Sequence, residues 1–178
     1  MKRSGSTAAV EVSGRSVHAV VEAMKLGEER SLKLLADHGI HPLERTRWYP
    51  LSSVLSLYQT ILKEIGPGTL RAVGRKLPEN AHFPADIISV DTALRAVDTA
   101  YRLNHRGAGD IGGYHFLSTG PRSVRMHCDN PYPCLLDEGL LEALCERFRP
   151  PDAWVRIEHA APSCRQRGDS SCTYTISW

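Results

Sequence analysis

The chain has 178 residues, 42% hydrophobic and 24% charged, with a formal net charge of +2, values typical of a water-soluble globule. Acids and bases are interspersed, which leaves no basic face for nucleic acid, and no apolar run nears the roughly 18 residues of a spanning helix. The basic start "MKRSGSTAAVEVSG" has no apolar core of signal-peptide type, and an odd count of five cysteines fits a reducing compartment, so a cytoplasmic protein is expected.

Residues 1–13 are small and polar and read as a flexible N-terminal tail, leaving 14–178 as a single domain. From Ser16, Val17, Val20, Val21 and Met24 fall at helical spacing. Leu32, Leu34 and Leu35 continue that character, Gly39 is a stop and Pro42 lies just beyond it. In "WYPLSSVLSLYQTILKEIG", Val54, Leu57, Tyr58, Ile61, Leu62 and Ile65 form an amphipathic stripe. Ser52 or Ser53 is the expected cap and Gly66 the end. "GTLRAVGRKL" gives a short helix. A longer one follows, capped by Ser89 or Asp91, with Leu94, Val97 and Tyr101 on one face.

The periodicity changes after Gly107. Two strand-like stretches flank the turn Gly120-Pro121, and "LLDEGLLEALCERFRPP" is a helix closed by prolines. "AWVRIEHAA" and "SCTYTISW" are two more strands. In the last, Cys172, Tyr174, Ile176 and Trp178 share a face. The expected fold is therefore α+β, with N-terminal helices packed on a four-stranded, mostly antiparallel sheet that carries an inserted helix.

The C-terminal third resembles the 4-vinyl reductase family of small-molecule-binding domains. The residues that carry the resemblance are Cys164, Gly168-Asp169, Cys172 and the final strand, with "NPYPCLLDEGLLEAL" upstream. The resemblance covers about residues 110–178. It implies a fold related to TRAPP subunits and haem–nitric-oxide sensors, with helices enclosing an apolar pocket. In phenol-sensing members three cysteines and one glutamate bind zinc. Carried over, the cysteines are Cys134, Cys164 and Cys172, while the glutamate position is Ala161, which cannot ligate. His159 is the first substitute because its strand leads directly into Cys164, and Glu158 and Cys128 are alternatives. Cys₃His is an accepted structural zinc set. Buried thiols are the competing reading, and Cys145, mid-helix, is expected in the core. A closed four-ligand site would be a structural clip.

Haem–nitric-oxide sensors use an axial histidine and a Tyr-x-Ser-x-Arg motif. No such motif occurs here, so haem is not expected. His105, Arg106 and His115 could meet a ligand's polar end, or simply serve a helix C-terminus. No nucleophile elbow, P-loop or dinucleotide fingerprint is present, and catalysis is not the leading expectation. The expected function is a sensory domain that binds a hydrophobic or aromatic ligand, with Trp48, Leu55, Tyr58, Leu62, Val97, Tyr101 and Phe116 as candidate lining. Its output would pass through a homodimer formed by the helical half or through a protein partner. The alternatives are a TRAPP-like scaffold and an enzyme or accessory of tetrapyrrole vinyl reduction.

Overall fold

The structure is a computed structural model and describes residues 9–24, 27–160 and 162–178. The outer part of the expected tail, residues 1–8, and Ala161 lie outside the described residues. The elements are β1 (Val10–Ser13), α1 (Gly14–Ala23), α2 (Glu28–Asp37), β2 (Trp48–Pro50), α3 (Leu51–Thr60), α4 (Pro67–Asn80), α5 (Val90–Leu103), β3 (His105–Gly107), β4 (Tyr114–Gly120), β5 (Ser123–Cys128), α6 (Cys134–Phe148), β6 (Arg156–His159) and β7 (Cys172–Ser177). The fold is α+β, and the expected strand–strand–helix–strand–strand order after Gly107 is what the chain adopts.

The helices keep the register of the apolar stripes. On α5 the buried residues Val90, Ala93, Leu94, Val97, Ala100 and Tyr101 make one face. Its start is fixed by Ser89, whose side chain accepts from the Thr92 N–H while Thr92 reaches back to the cap. The helix α3 begins at Leu51 rather than after Ser52 or Ser53, because Pro50, with φ −53° and no N–H, occupies the cap position. It runs directly into a π-helical turn, Ile61–Ile65.

Helices α4 and α6 cross closely. A Cβ on Gly74 would lie 2.2 Å from the Leu136 carbonyl, and one on Gly139 would lie 2.0 Å from the Arg71 carbonyl. Only glycine at both positions permits that approach. Arg71 and Arg75 on α4 pair with Glu142 and Glu146 on α6 along the solvent edge.

Two antiparallel sheets complete the fold. The expected four-stranded sheet has the order β4-β5-β7-β6. Its inner face carries Val124, Met126, Cys128, Cys172, Tyr174 and Ile176, all buried. A second, three-stranded sheet, β2-β1-β3, was not expected. Residues 10–13, read as the inner end of the tail, form its central strand. Val10 and Val12 are buried in the main core, so apolar burial overrides the polar look of the flanking sequence. Val12 pairs with His105 in this sheet, which sets the position of that imidazole. Among the described residues, no helix is long and apolar enough to cross a membrane.

Candidate functional site

Two places in the fold gather chemistry-bearing side chains. The first is a cavity of about 50 Å³ lined by residues of α1, α3, α4, α5, α6, β1, β3 and β4. Its aromatic wall is Tyr58, Tyr101, Tyr114 and Tyr132, and its apolar floor includes Val97, Leu136 and Leu140. Tyr101 packs edge-on against Tyr114 and Tyr132, with centroids 5.4 and 6.3 Å apart.

His105 is the polar centre of this cavity. Its Nδ1 lies 2.7 Å from the Tyr101 carbonyl oxygen and its Nε2 lies 2.6 Å from the Tyr132 hydroxyl. A carbonyl only accepts, so Nδ1 carries the proton, and in the neutral ring Nε2 must accept from Tyr132. Burial drives the pKa down from 6.5 to about 4, against a smaller raising effect of the Tyr101 carbonyl. The imidazole is therefore neutral near pH 7, with its one lone pair held by a tyrosine.

The other hydroxyls also have partners. Tyr101 donates to the Ile111 carbonyl at 2.8 Å, and Tyr114 donates to Asp137 Oδ1 at 2.6 Å. Asp137 is fully buried and forms an ion pair with Arg165, whose side chain is only 9% exposed. Burial raises the Asp137 pKa, and the charge of Arg165 opposes that rise. Asn130 accepts from Arg165 through its carbonyl at 2.6 Å. Arg165 then continues to the second site, its backbone N–H lying 3.3 Å and its Nε 3.5 Å from Cys172 Sγ. A buried polar chain thus joins the cavity wall to the cysteines.

The second site is the cysteine group. Cys134 is the first residue of α6, Cys164 precedes a 3₁₀ turn at Arg165–Arg167, and Cys172 opens β7. Their sulfurs lie within 4.8 Å of one another, with Cys134 and Cys164 at 3.9 Å. Sulfurs around one zinc sit roughly 3.5–4 Å apart, as bonds of about 2.3 Å require. The Gly168-Asp169 turn is as expected. Gly168 takes φ +90°, and Asp169 Oδ2 accepts from the Cys164 N–H at 2.8 Å. The Cys172 thiol is lowered to about 3, first by its hydrogen bond with Cys134 and then by Arg165, while Cys134 is raised as the partner that keeps its proton.

His159 on β6 packs edge-on to Tyr174, with centroids 5.2 Å apart. Its Nε2 is sealed from solvent with no hydrogen-bond partner, yet the ring is near enough to Cys172 to favour the thiolate. The alternatives lie elsewhere. Glu158 pairs with Arg156 at 2.6 Å on the surface. Cys128 is buried beside Cys172 in the sheet but outside the sulfur group. Cys145 is fully buried in α6.

Of the seven lining candidates, Tyr58, Val97 and Tyr101 line the cavity. Leu62 lines an outer cleft instead. Trp48 lies under Arg106 at 4.7 Å and Phe116 under Arg95 at 4.1 Å, each half-buried at the surface. Leu55 packs against the margin of the core. Of the residues weighed as polar contacts, His105 enters the cavity. Arg106 pairs with Glu11 and His115 with Asp129. Sequence reasoning missed Tyr132, Tyr114, Asp137 and Arg165 as site residues. The proline-flanked "NPYPC" was the available signal for Tyr132.

No protein-family model matches the sequence, and no curated protein matches it. Solved structures do. An H-NOX protein from S. oneidensis in the Fe(II)NO state shares 14% identity, with a TM-score of 0.70 over 93% of this chain and 98% of that one. A variant of the unliganded Fe(II) H-NOX protein from K. algicida gives 13%, 0.66, 93% and 95% in the same order. An oxygen-binding H-NOX domain related to soluble guanylate cyclases gives 13%, 0.64, 93% and 94%. These results correct two expectations. The resemblance to 4-vinyl reductase domains is not sustained, because the matching structures are H-NOX domains. The expectation against haem also falls, since it rested on a missing motif alone and structures with this fold come from work on haem redox potential and haem distortion. The chain has the fold of H-NOX domains.

Proposed function

We propose that this chain is a small-molecule sensory domain whose ligand is held at His105, in the aromatic cavity between α3, α5 and α6. The observation that carries the reading is the neutral imidazole itself, whose Nε2 faces an apolar enclosure and is held by one hydroxyl at 2.6 Å. A buried histidine with its other nitrogen donated to a backbone carbonyl is the arrangement of metal-binding histidines. The similar H-NOX structures include Fe(II)NO and Fe(II)CO states and an oxygen complex. The donor set here suits haem iron, which His105 would hold through Nε2. Bound haem would supply an iron coordination site for a diatomic gas. Tyr132 would have to release Nε2, and the cavity, about 50 Å³ as it stands, would have to open. No Lys or Arg is among the lining residues, so the polar groups of such a ligand must point elsewhere.

The test is a titration with haem, and separately with an apolar aromatic dye, of the unmodified protein and a His105→Gly variant. Saturable binding that the variant loses, and that free imidazole restores for haem, supports the reading. Absence of binding by either probe would favour the scaffold alternative.

In the same reading, Cys134, Cys164, Cys172 and His159 hold one tetrahedral metal ion of the zinc type. The sulfur spacing supports it, and His159, which lies beside Cys172 but outside the group of mutually close ligand atoms, would have to turn toward the ion to complete the set. The ion would pin the start of α6 to the last strand pair. Elemental analysis of protein purified without added metal should find about one ion per chain, lost in Cys172→Ser. Metal-free protein with three titratable thiols in the folded state would remove the ion and leave buried thiols.

A further inference from the structure

Outside the aromatic cavity lies a larger polar cleft of about 770 Å³, rimmed by Gln59, Ile111, Asn130, Arg165 and the turn between Cys164 and Cys172. One residue, Tyr132, lines both spaces. Its hydroxyl occupies His105 Nε2 at 2.6 Å, and its ring packs against Tyr58 at 5.8 Å and Tyr101 at 6.3 Å. Behind it is open cleft.

We infer that Tyr132 is the movable partition between the two spaces and occupies the ligand's place on His105, and that the binding site is the cavity and cleft joined. The inference rests on the functional reading above and supplies its access route. Cofactor-sized ligands need roughly 300–1,000 Å³. The cavity alone falls far short, and the cleft alone has the volume but does not reach His105, so only the joined space offers both. A single movement, Tyr132 swinging into the cleft, both opens the enclosure and frees the lone pair of Nε2.

Pro131 and Pro133 flank Tyr132 and fix the backbone on both sides, so the movement is a rotation of the Tyr132 side chain rather than of the loop. The Tyr132 N–H is held only by the side chain of Asn130, at 2.9 Å. The neighbouring walls are better anchored. Tyr101 sits within α5 and ties the cleft edge from inside through Ile111, and Tyr114 sits within β4 and is bound to buried Asp137.

The chemistry of the two spaces defines the ligand class. Its inner end is apolar or aromatic and presents to His105 either a hydrogen-bond donor, as the tyrosine does, or a Lewis-acidic metal. Its outer end is polar and hydrogen-bonding rather than strongly anionic, for besides the amides and hydroxyls of Gln59, Gln166, Ser163 and Ser170 the cleft carries the carboxylates of Asp110, Asp129 and Asp169 against, among the described residues, the one guanidinium of Arg165.

The test needs no ligand, so it can fail or succeed independently of the functional reading. Diethyl pyrocarbonate acylates unprotonated imidazole nitrogen, and peptide mass spectrometry reads its rate at His105. In Tyr132→Ala the rate should rise about tenfold, the factor given by loss of one hydrogen bond of ordinary strength. Tyr132→Phe, which keeps the ring but frees Nε2, should give a smaller rise. Phe148→Ala removes an aromatic ring from the core at a residue that lines neither space, and should leave the rate near that of the unmodified protein. An unchanged rate in Tyr132→Ala, or an equal rise in Phe148→Ala, overturns the partition. Should Tyr132→Ala fail to fold, Tyr132→Phe against Tyr49→Phe, a buried tyrosine outside both spaces, decides on the same terms.

Discussion

The helical half and the sheet half each bury a histidine, and the two are left in opposite conditions. His105 has both nitrogens satisfied, one by a backbone carbonyl and one by a tyrosine hydroxyl. His159 has a buried Nε2 with no oxygen or nitrogen partner among the described residues, as His18 on α1 also has, and it lies close enough to Cys172 to favour the thiolate. A satisfied buried imidazole can take a ligand only by displacing an internal partner. An unsatisfied one carries a desolvation penalty until something binds. The first condition suits reversible sensing and the second a permanent structural ion.

The largest effect is expected at Asp137, whose bonds to Tyr114, Asn130 and Arg165 tie β4, the segment before α6 and the turn after Cys164 to one buried carboxylate. Replacing Asp137 with Ala would leave Arg165 buried without its partner and cost about 3–5 kcal/mol in urea unfolding. A Asp137→Leu, Arg165→Met double variant should recover much of that loss, since it removes both charges together. If the double variant is as unstable as the single one, an unpaired buried charge is not the source of the loss.

The next effect separates the histidines by pH. The His105 pKa in the folded state, about 4, is below its ordinary 6.5. Between those values the unfolded chain binds the extra proton and the folded one does not, so stability rises with pH. The contribution is fully present above pH 6.5 and is lost as pH falls towards 4. It amounts to at most about 3 kcal/mol, at 1.36 kcal/mol per pH unit. Burial also lowers the pKa of His18 and gives the same sign, so the measurement is the difference between unmodified protein and His105→Gln. Equal acid sensitivity of the two would contradict a buried neutral His105. The smallest effect should come from the surface pairs between α4 and α6. Glu142→Ala removes exposed ion pairs to Arg71 and Arg75 and should cost less than about 1 kcal/mol, read by the same unfolding curves.

What was legible in the sequence follows the strength of the local signal. The stripe of α5 and the alternation of β7 are periodic over many residues, and both elements form where that periodicity places them. The cysteine trio was reached as what the resemblance to 4-vinyl reductase domains implies, through Cys164, Gly168-Asp169 and Cys172 and the helix start at Cys134, and not from periodicity. The second sheet was not legible, because β2 and β3 have three residues each and β1 has four. Strands that short offer too little alternation to read. The Asp137–Arg165 pair spans 28 positions, and nothing in a helix-start aspartate announces a partner so distant. Periodicity identified the buried face of α3 and α5, but not which part of that face borders a void. Tyr58, Val97 and Tyr101 reach the cavity for that reason, whereas Trp48, Leu55 and Phe116 serve its periphery.

The central claim is that His105 is where a small molecule binds. Native mass spectrometry of the protein, purified without added ligand and then exposed to haem, tests it most directly when His105→Gly is run beside it. The account predicts a bound mass of one small molecule per chain in the unmodified protein and none in the variant, with the charge-state distribution of the folded protein unchanged. A bound mass retained equally by His105→Gly would contradict it.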